Sequence, residues 1–161
     1  MKRIIILVSS FCALYAQATT LPIEQWQTSK GSKVLFFKNT DLPMVDISIA
    51  FKAGSAFDKR QWGLATLTAN LIDQGTMALT ATQIAEKFEN YGAVFSANVD
   101  KDKTTFSLRS LTYKESLTPV LETLKQLLTT PSFPPQTIQR EKQNLLTTIN
   151  YMNEKPSSVA N

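Results

Sequence analysis

The sequence predicts an α+β fold: a mainly antiparallel sheet of about five strands, with helices packed on one face. Two patterns indicate this class. Apolar and polar residues alternate as in half-buried strands over residues 23–28, 33–38, 44–52, 93–99 and 103–111. Apolar residues recur at helical spacing over residues 61–74, 80–91, 112–128 and 135–153. With 161 residues, 43% of them hydrophobic, the chain can bury one core, and we expect one domain.

Residues 1–18 are organised like a secretory signal peptide. Two basic residues precede an apolar run over residues 4–15, and a small-residue cleavage site ends at Ala18. The alternative is an uncleaved membrane anchor, but the apolar run is short for a bilayer. Cys12, the only cysteine, lies in that run without the residues of a lipoprotein cleavage site. We therefore expect export, most simply to a bacterial periplasm, with no stable membrane insertion after cleavage.

The charge distribution argues against nucleic acid as a partner. The net charge is +4, and Lys2 and Arg3 supply two of the positive charges. The other lysines and arginines are scattered and form no basic stripe interleaved with aromatic residues. A nucleic-acid-binding domain usually concentrates its positive charge on one face. We therefore expect no nucleic acid partner.

The first three strands lead into the first helix. The strands at 23–28 and 33–38 flank a Ser-Lys-Gly-Ser turn and are predicted to form a hairpin. A loop ending at Pro43 leads to the long strand at 44–52, whose apolar residues lie on one side. That strand ends at a turn containing Gly54, which delivers the chain to the helix.

The first helix, predicted over residues 61–74, carries most of the information about function. At 100° per residue, one face contains Leu64, Leu67, Thr68 and Leu71. The opposite face contains Thr66, Ala69, Asn70 and Asp73. Gly75 is placed to end the helix. On periodicity alone, this pattern indicates a buried helix whose small-residue face packs against a neighbour.

The sequence of this stretch resembles the corresponding segment of the insulinase/pitrilysin (inverzincin) family of zinc metallopeptidases. In that family a strand and a Gly-Ser-like turn lead into a helix with the frame G-x-x-H-x-x-E-H-x-x-x-x-G-T. Gly63 and the Gly75-Thr76 pair keep the ends of that frame. The two histidine positions of the family are occupied here by Thr66 and Asn70, and the glutamate position by Ala69.

These three replacements remove the zinc ligands and the general base that the family's motif supplies. A catalytic zinc site needs about three protein ligands of the His/Glu type and an open position for water. Thr66, Ala69 and Asn70 supply neither an imidazole nor a general base, and the chain contains no histidine. The resemblance therefore implies a non-catalytic member, matched over its N-terminal domain, for which we expect no catalytic residues, no metal and no cofactor.

The second half of the chain continues the resemblance. Thr80 and Gln83 form a capping-box pattern at the start of the second helix. The hairpin after it is loosely similar to a family pattern whose first strand lies at the edge that receives an extended peptide. That resemblance places a peptide-binding edge at Ser96, Ala97 and Asn98. The alternative is an ordinary sheet hairpin.

The last two helices leave two points open. The third begins either at a capping box formed by Thr112 and Glu115, with a kink at Pro119, or near Thr118 with Pro119 in its first turn. The fourth helix is predicted to have an inward face formed by Ile138, Leu145, Leu146, Ile149 and Met152. In active family members this helix carries a third zinc ligand, a glutamate. By the resemblance, that position falls at Thr147 or Thr148.

Family chains carry two homologous domains, each larger than residues 19–161, and residues 156–161 resemble the entry to another helix. We therefore expect a truncated chain that holds most of one domain. The resemblance implies a non-catalytic subunit that pairs with a zinc-bearing homologue to form a peptide-degrading chamber, and that contacts extended peptides. Two alternatives are a stand-alone periplasmic scaffold or peptide-binding module, and an active zinc peptidase.

Overall fold

A computed structural model of the protein describes residues 21–154, so the signal-peptide prediction and the tail at 156–161 lie outside the described residues. Five strands and four α-helices follow one another along this part of the chain. In order they are β1 (Ile23–Gln27), β2 (Lys33–Phe37), β3 (Met44–Phe51), α1 (Leu64–Leu71), α2 (Ala81–Asn90), β4 (Val94–Val99), β5 (Thr104–Leu111), α3 (Lys114–Thr129) and α4 (Pro135–Asn153). The class is α+β, as predicted.

The five strands form two antiparallel sheets rather than one. Strands β1 and β2 make a two-stranded hairpin, in which Ile23 lies opposite Phe37 and Gln27 opposite Lys33. This hairpin belongs to a unit that ends at Leu42, and a second unit begins at Pro43. Within the described residues, β1 and β2 pair only with each other. The five predicted strands therefore form a two-stranded sheet and a three-stranded sheet instead of one sheet.

The second unit is built on a three-stranded sheet in the order β3-β5-β4. On one face, Ile47 of β3 lies opposite Leu108 of β5, and Ile49 opposite Phe106. The other face is polar. There the guanidinium of Arg109 donates to both carboxylate oxygens of Asp46, at 2.6 and 3.0 Å, and this hydrogen bonding lowers the pKa of Asp46.

The core lies between the apolar face of this sheet and the helices. Helix α2 contributes Ile84 and Phe88, while α3 contributes a stripe at helical spacing, as predicted. Val120 in this stripe is 0% exposed. Burial of such side chains is the dominant stabilising term in a domain of this size. The buried cluster comprises Ile72, Ile84, Phe88, Ala93, Phe106, Leu108, Val120, Leu124 and Leu127.

One predicted capping box is present and the other is absent. The Thr80 side chain accepts from the backbone N–H of Gln83, and the Gln83 side chain accepts from the N–H of Thr80, so α2 begins as predicted. The Thr112–Glu115 box was wrong. The N–H of Thr112 donates to the carbonyl of Pro43, which keeps Thr112 beside β3, and α3 starts one residue later with Tyr113 as its N-cap.

Pro119 lies inside α3, so the helix neither stops nor restarts there. Because proline has no backbone N–H, one hydrogen bond of the helix is missing at Pro119. The carbonyl of Pro119 accepts a hydrogen bond from the hydroxyl of the buried Thr123, at 2.9 Å.

The small-residue face of α1 is packed, as predicted: Ala69 is only 5% exposed, and α1 contacts both β4 and α4. On the leucine face of α1, Leu71 is buried but Leu64 is 45% exposed. In α4, the predicted inward face is shorter than expected, because the half-buried positions stop at Leu145, and Leu146 and Ile149 are exposed. Within residues 21–154, no helix is long and apolar enough to cross a membrane.

Candidate functional site

The turn before α1 is held by backbone contacts that require a glycine. The carbonyls of Asp100 and Lys101, in the β4–β5 turn, accept hydrogen bonds from the N–H groups of Ser55 and Ala56, each at 2.9 Å. A Cβ atom at Gly54 would meet the backbone of Lys103, Asp100 and Lys101. The glycine therefore lets the backbone after β3 and the β4–β5 turn meet directly.

Asp58 caps α1 from outside the helix. One carboxylate oxygen accepts from the N–H of Gly63 and the other from the N–H of Ala65, both at 2.9 Å. Asp58 is 8% exposed, so these bonds are shielded from water. Two of the helix's unpaired N–H groups are thereby satisfied, and a negative charge lies at the positive end of the helix.

The three motif positions of α1 differ in how deeply they are buried. Ala69, at the glutamate position, is buried, Thr66 is half-buried and Asn70 is exposed. Thr66 and Asn70 are one turn apart and therefore share a face. This is the placement that two zinc-binding histidines would need, but the residues present are a threonine and an asparagine.

Helix α4 approaches α1 at both ends of α1. A Cβ atom at Gly63 would lie 3.0 Å from Cδ2 of Leu145, and Nη2 of Arg140 donates to Oε1 of Gln74 at 3.1 Å. Thr147 and Thr148 follow Leu145 along α4 and are both exposed. Each hydroxyl donates to the carbonyl four residues earlier, as threonine commonly does in helices.

The residues at these positions do not fit a zinc ion. A threonine hydroxyl, an alanine methyl and an asparagine amide on α1 form no tetrahedral His/Glu donor set, and the hydroxyls of Thr147 and Thr148 are bonded within α4. Within residues 21–154, no group of three or more His, Cys, Asp or Glu side chains is placed to hold a metal ion. No metal-dependent step can be derived from these side chains.

Strand β4 is an edge of its sheet among the described residues. The N–H of Asp100 donates to the carbonyl of Lys103, and hydrogen-bonded pairs alternate along an antiparallel ladder. Ser96 and Asn98 therefore bond to β5, and the backbone groups of Ala97 face the free edge. Phe95 and Val99 face it as well. Of the three residues of the predicted peptide-binding edge, Ala97 thus has a backbone N–H and carbonyl that β5 does not pair, while Ser96 and Asn98 have exposed side chains.

Two features of the site are not marked by any pattern in the sequence. Asp58 caps α1 from five residues before Gly63, and neither a capping-box spacing nor apolar periodicity marks it. The second feature is an apolar cleft of about 350 Å³ between α1 and the ends of β3 and β5. Leu64 and Thr68 of α1 line it together with Ile72, which follows the helix, and with Phe51 and Phe106 from the strands. The spacing of the lining residues in the sequence predicts a packed helix face and does not predict a cleft.

Comparisons with known proteins identify relatives of this chain. A family model described as Insulinase (Peptidase family M16) matches residues 33–161. A Helicobacter pylori protein named a non-peptidase homolog, YmxG, is 31% identical over 152 residues, which cover 92% of this chain and 34% of that protein. A Rickettsia felis protein named an uncharacterized zinc protease is 27% identical over 140 residues, covering 84% of this chain and 34% of that protein.

Solved structures agree with these matches. The crystal structure of a peptidase M16 inactive domain from Pseudomonas fluorescens superposes with a TM-score of 0.84 at 34% identity, covering 87% of this chain and 34% of that chain. A Helicobacter pylori protease superposes with a TM-score of 0.75 at 16% identity over the same shares, which shows the fold alone. The chain spans about a third of the length of the curated relatives it matches.

Proposed function

Because the chain belongs to the insulinase family of peptidases, we propose that it acts as a non-catalytic subunit beside a zinc-bearing homologue. The chain is a peptidase homologue of the non-catalytic kind, similar to a non-peptidase homolog and to an inactive domain. The observation that supports the proposal is the set of side chains at the zinc-ligand and general-base positions. The glycine frame of the family's motif is kept around α1, yet Thr66, Ala69 and Asn70 occupy those positions.

In this role the chain walls one side of a peptide-degrading chamber, and the partner supplies the zinc and the hydrolysis. The retained frame supports such a role, because a helix that no longer binds metal can still preserve the shape of the surface around it. The predicted export places this assembly in the bacterial periplasm. The free edge of β4 gives the chain a means of holding an extended peptide through main-chain hydrogen bonds.

The free edge of β4 also favours a second candidate function. An unpaired strand edge can bind a peptide without any catalytic partner. The chain would then be a stand-alone periplasmic scaffold or peptide-binding module. Association with a homologue distinguishes the two functions.

The test is co-purification from the natural host. The protein at its full natural length, tagged and exported, should capture a homologue carrying an intact H-x-x-E-H motif, and the complex should hydrolyse peptides faster than the homologue alone. Val120→Asp is the control, because a charge at this fully buried position breaks the core and should abolish capture. A folded, monomeric protein that captures no such homologue would contradict pairing and favour the scaffold.

A further inference from the structure

A groove of about 650 Å³ opens beside the start of β4, between that strand, α2 and the segment that follows α1. We call it the β4 groove. Its floor is apolar and includes Ile84, Phe88 and Ala93, all of which are buried. Two alanines of α2, Ala81 and Ala85, form part of its wall. A floor of this kind can accept the aliphatic stem of a long side chain.

The charges of the β4 groove have one sign. Asp73 and Glu89 line it, and no lysine or arginine does. Neither carboxylate forms an ion pair within residues 21–154. Asp73 accepts a hydrogen bond from the side-chain amide of Gln74 at 2.9 Å. Nη2 of Arg140 donates to that same amide, but Nε of Arg140 pairs with Glu141 at 3.1 Å. The two lining carboxylates therefore lack a direct cationic partner.

The groove is continuous with the free edge of β4. Phe95 lines the groove, and its backbone N–H and carbonyl face the free edge. The Phe95 ring lies between Phe88 and Phe106, at 5.7 and 6.2 Å between centroids, so its side chain points to the helix-covered face. A peptide residue paired opposite Phe95 would direct its own side chain to that face, where the groove lies.

We propose that the β4 groove binds one lysine or arginine side chain of an extended peptide that is added to the sheet at β4. The stem of that side chain lies along Ile84 and Phe88, and its cationic end lies beside Asp73 and Glu89. This inference rests on the peptide-holding role of β4 in the proposed function. Main-chain hydrogen bonds along β4 would not distinguish one peptide side chain from another. The groove adds a preference for peptides that contain a basic residue.

The experiment measures peptide selectivity of the protein in its native oligomeric state. The probes are a set of fluorescein-labelled nonapeptides of alternating serine and valine. Each peptide carries one lysine, and the position of that lysine differs between the members of the set. Matched peptides carry norleucine, which keeps the stem and lacks the charge, or glutamate. Anisotropy is recorded with a chelator present, so that a bound zinc homologue does not cleave the peptides. The best lysine peptide should bind roughly five- to tenfold more tightly than its norleucine match at low salt, and the difference should shrink as salt rises.

Substitutions locate the preference. Asp73→Asn with Glu89→Gln should remove the difference between lysine and norleucine while leaving norleucine binding unchanged. Glu86→Gln is the matched control, because Glu86 is an exposed carboxylate on the same helix outside the groove, and it should preserve the difference. Backbone N-methylation of the peptide at alternate amides should weaken every peptide, since β4 binds the main chain.

Each other outcome overturns the inference in a distinguishable way. Equal binding of lysine and norleucine peptides would remove the groove's selectivity and leave the β4 edge intact. A lysine preference that survives the Asp73 and Glu89 substitutions would place the basic side chain elsewhere. If no peptide binds, the edge itself fails as a peptide site. None of these results bears on the capture of a zinc-bearing homologue, which tests the pairing separately.

Discussion

Single side chains account for what α1 can and cannot do. Thr66, Ala69 and Asn70 keep the helical register of the family's motif, but they lack the imidazole nitrogens and the carboxylate of that motif. Asp58, which the motif does not include, decides instead how the helix begins, since its carboxylate bonds to two N–H groups at the helix start. These side chains therefore give α1 packing contacts and a capped start, but no zinc-binding group.

The cap gives a prediction at this scale. Asp58→Ala should lower the free energy of unfolding by about 1–2 kcal/mol, because it leaves two part-buried N–H groups at the start of α1 without their acceptor. Urea unfolding followed by circular dichroism measures this. Asp102→Ala, at an exposed position in the β4–β5 turn, is the control and should change stability by less than about 0.5 kcal/mol. Equal effects of the two substitutions would mean that Asp58 does not stabilise the helix.

At the scale of elements, strongly patterned segments were predictable and their surroundings were not. Alternation located all five strands, and the leucine stripe located α3, because each pattern reflects one face buried in a core. The start of α3 was missed because Thr112 bonds to Pro43, a residue far away in the sequence. The exposure of Leu64 and of Leu146 was missed for a related reason: periodicity reports which residues share a face, not what covers that face.

The contact between α1 and α4 predicts that a metal site can be restored. Thr148 follows Leu145 by three positions and thus lies on the face of α4 that meets the start of α1. Thr66→His with Asn70→His and Thr148→Glu should bind zinc more tightly than the two histidine substitutions alone. We expect the gain to exceed about tenfold, which corresponds to about 1.4 kcal/mol.

Zinc titration against a competing chelator measures this gain. The same variant with Thr147→Glu in place of Thr148→Glu is the matched comparison, because the family's glutamate position falls at one of these two residues. We expect little peptide hydrolysis even after Ala69→Glu, since the residues that orient the ligands are not restored. If neither glutamate register binds zinc better than the parent chain, then α4 does not converge on Thr66 and Asn70.

At the scale of the whole molecule, the family assignment and the candidate site rest on different kinds of information. The family was predictable because the Gly63 and Gly75-Thr76 frame survives the loss of the zinc ligands. The β4 groove was not predictable, because Asp73, Glu89 and Phe95 come from three segments that only the fold brings together. The division of the strands into two sheets was likewise invisible, since alternation does not identify a strand's partner.

Export gives a prediction for the whole chain. Expressed from its own start codon in a Gram-negative host, the protein should be recovered from the periplasm with Thr19 as its first residue, because Ala18 ends a small-residue cleavage site. Intact-mass measurement of the periplasmic fraction checks the first residue. A product in the membrane fraction that still contains Met1 would show that residues 1–18 act as an anchor.

The most direct measurement of the central claim is the zinc content of the purified protein, determined by elemental analysis after purification without chelator. The chain has no histidine, and its motif positions hold threonine, alanine and asparagine. We therefore expect no stoichiometric zinc in the separated chain, and about one zinc for each copy of the homologue in any complex that forms. One tightly held zinc ion per copy of this chain would contradict its assignment as a non-catalytic member of the family.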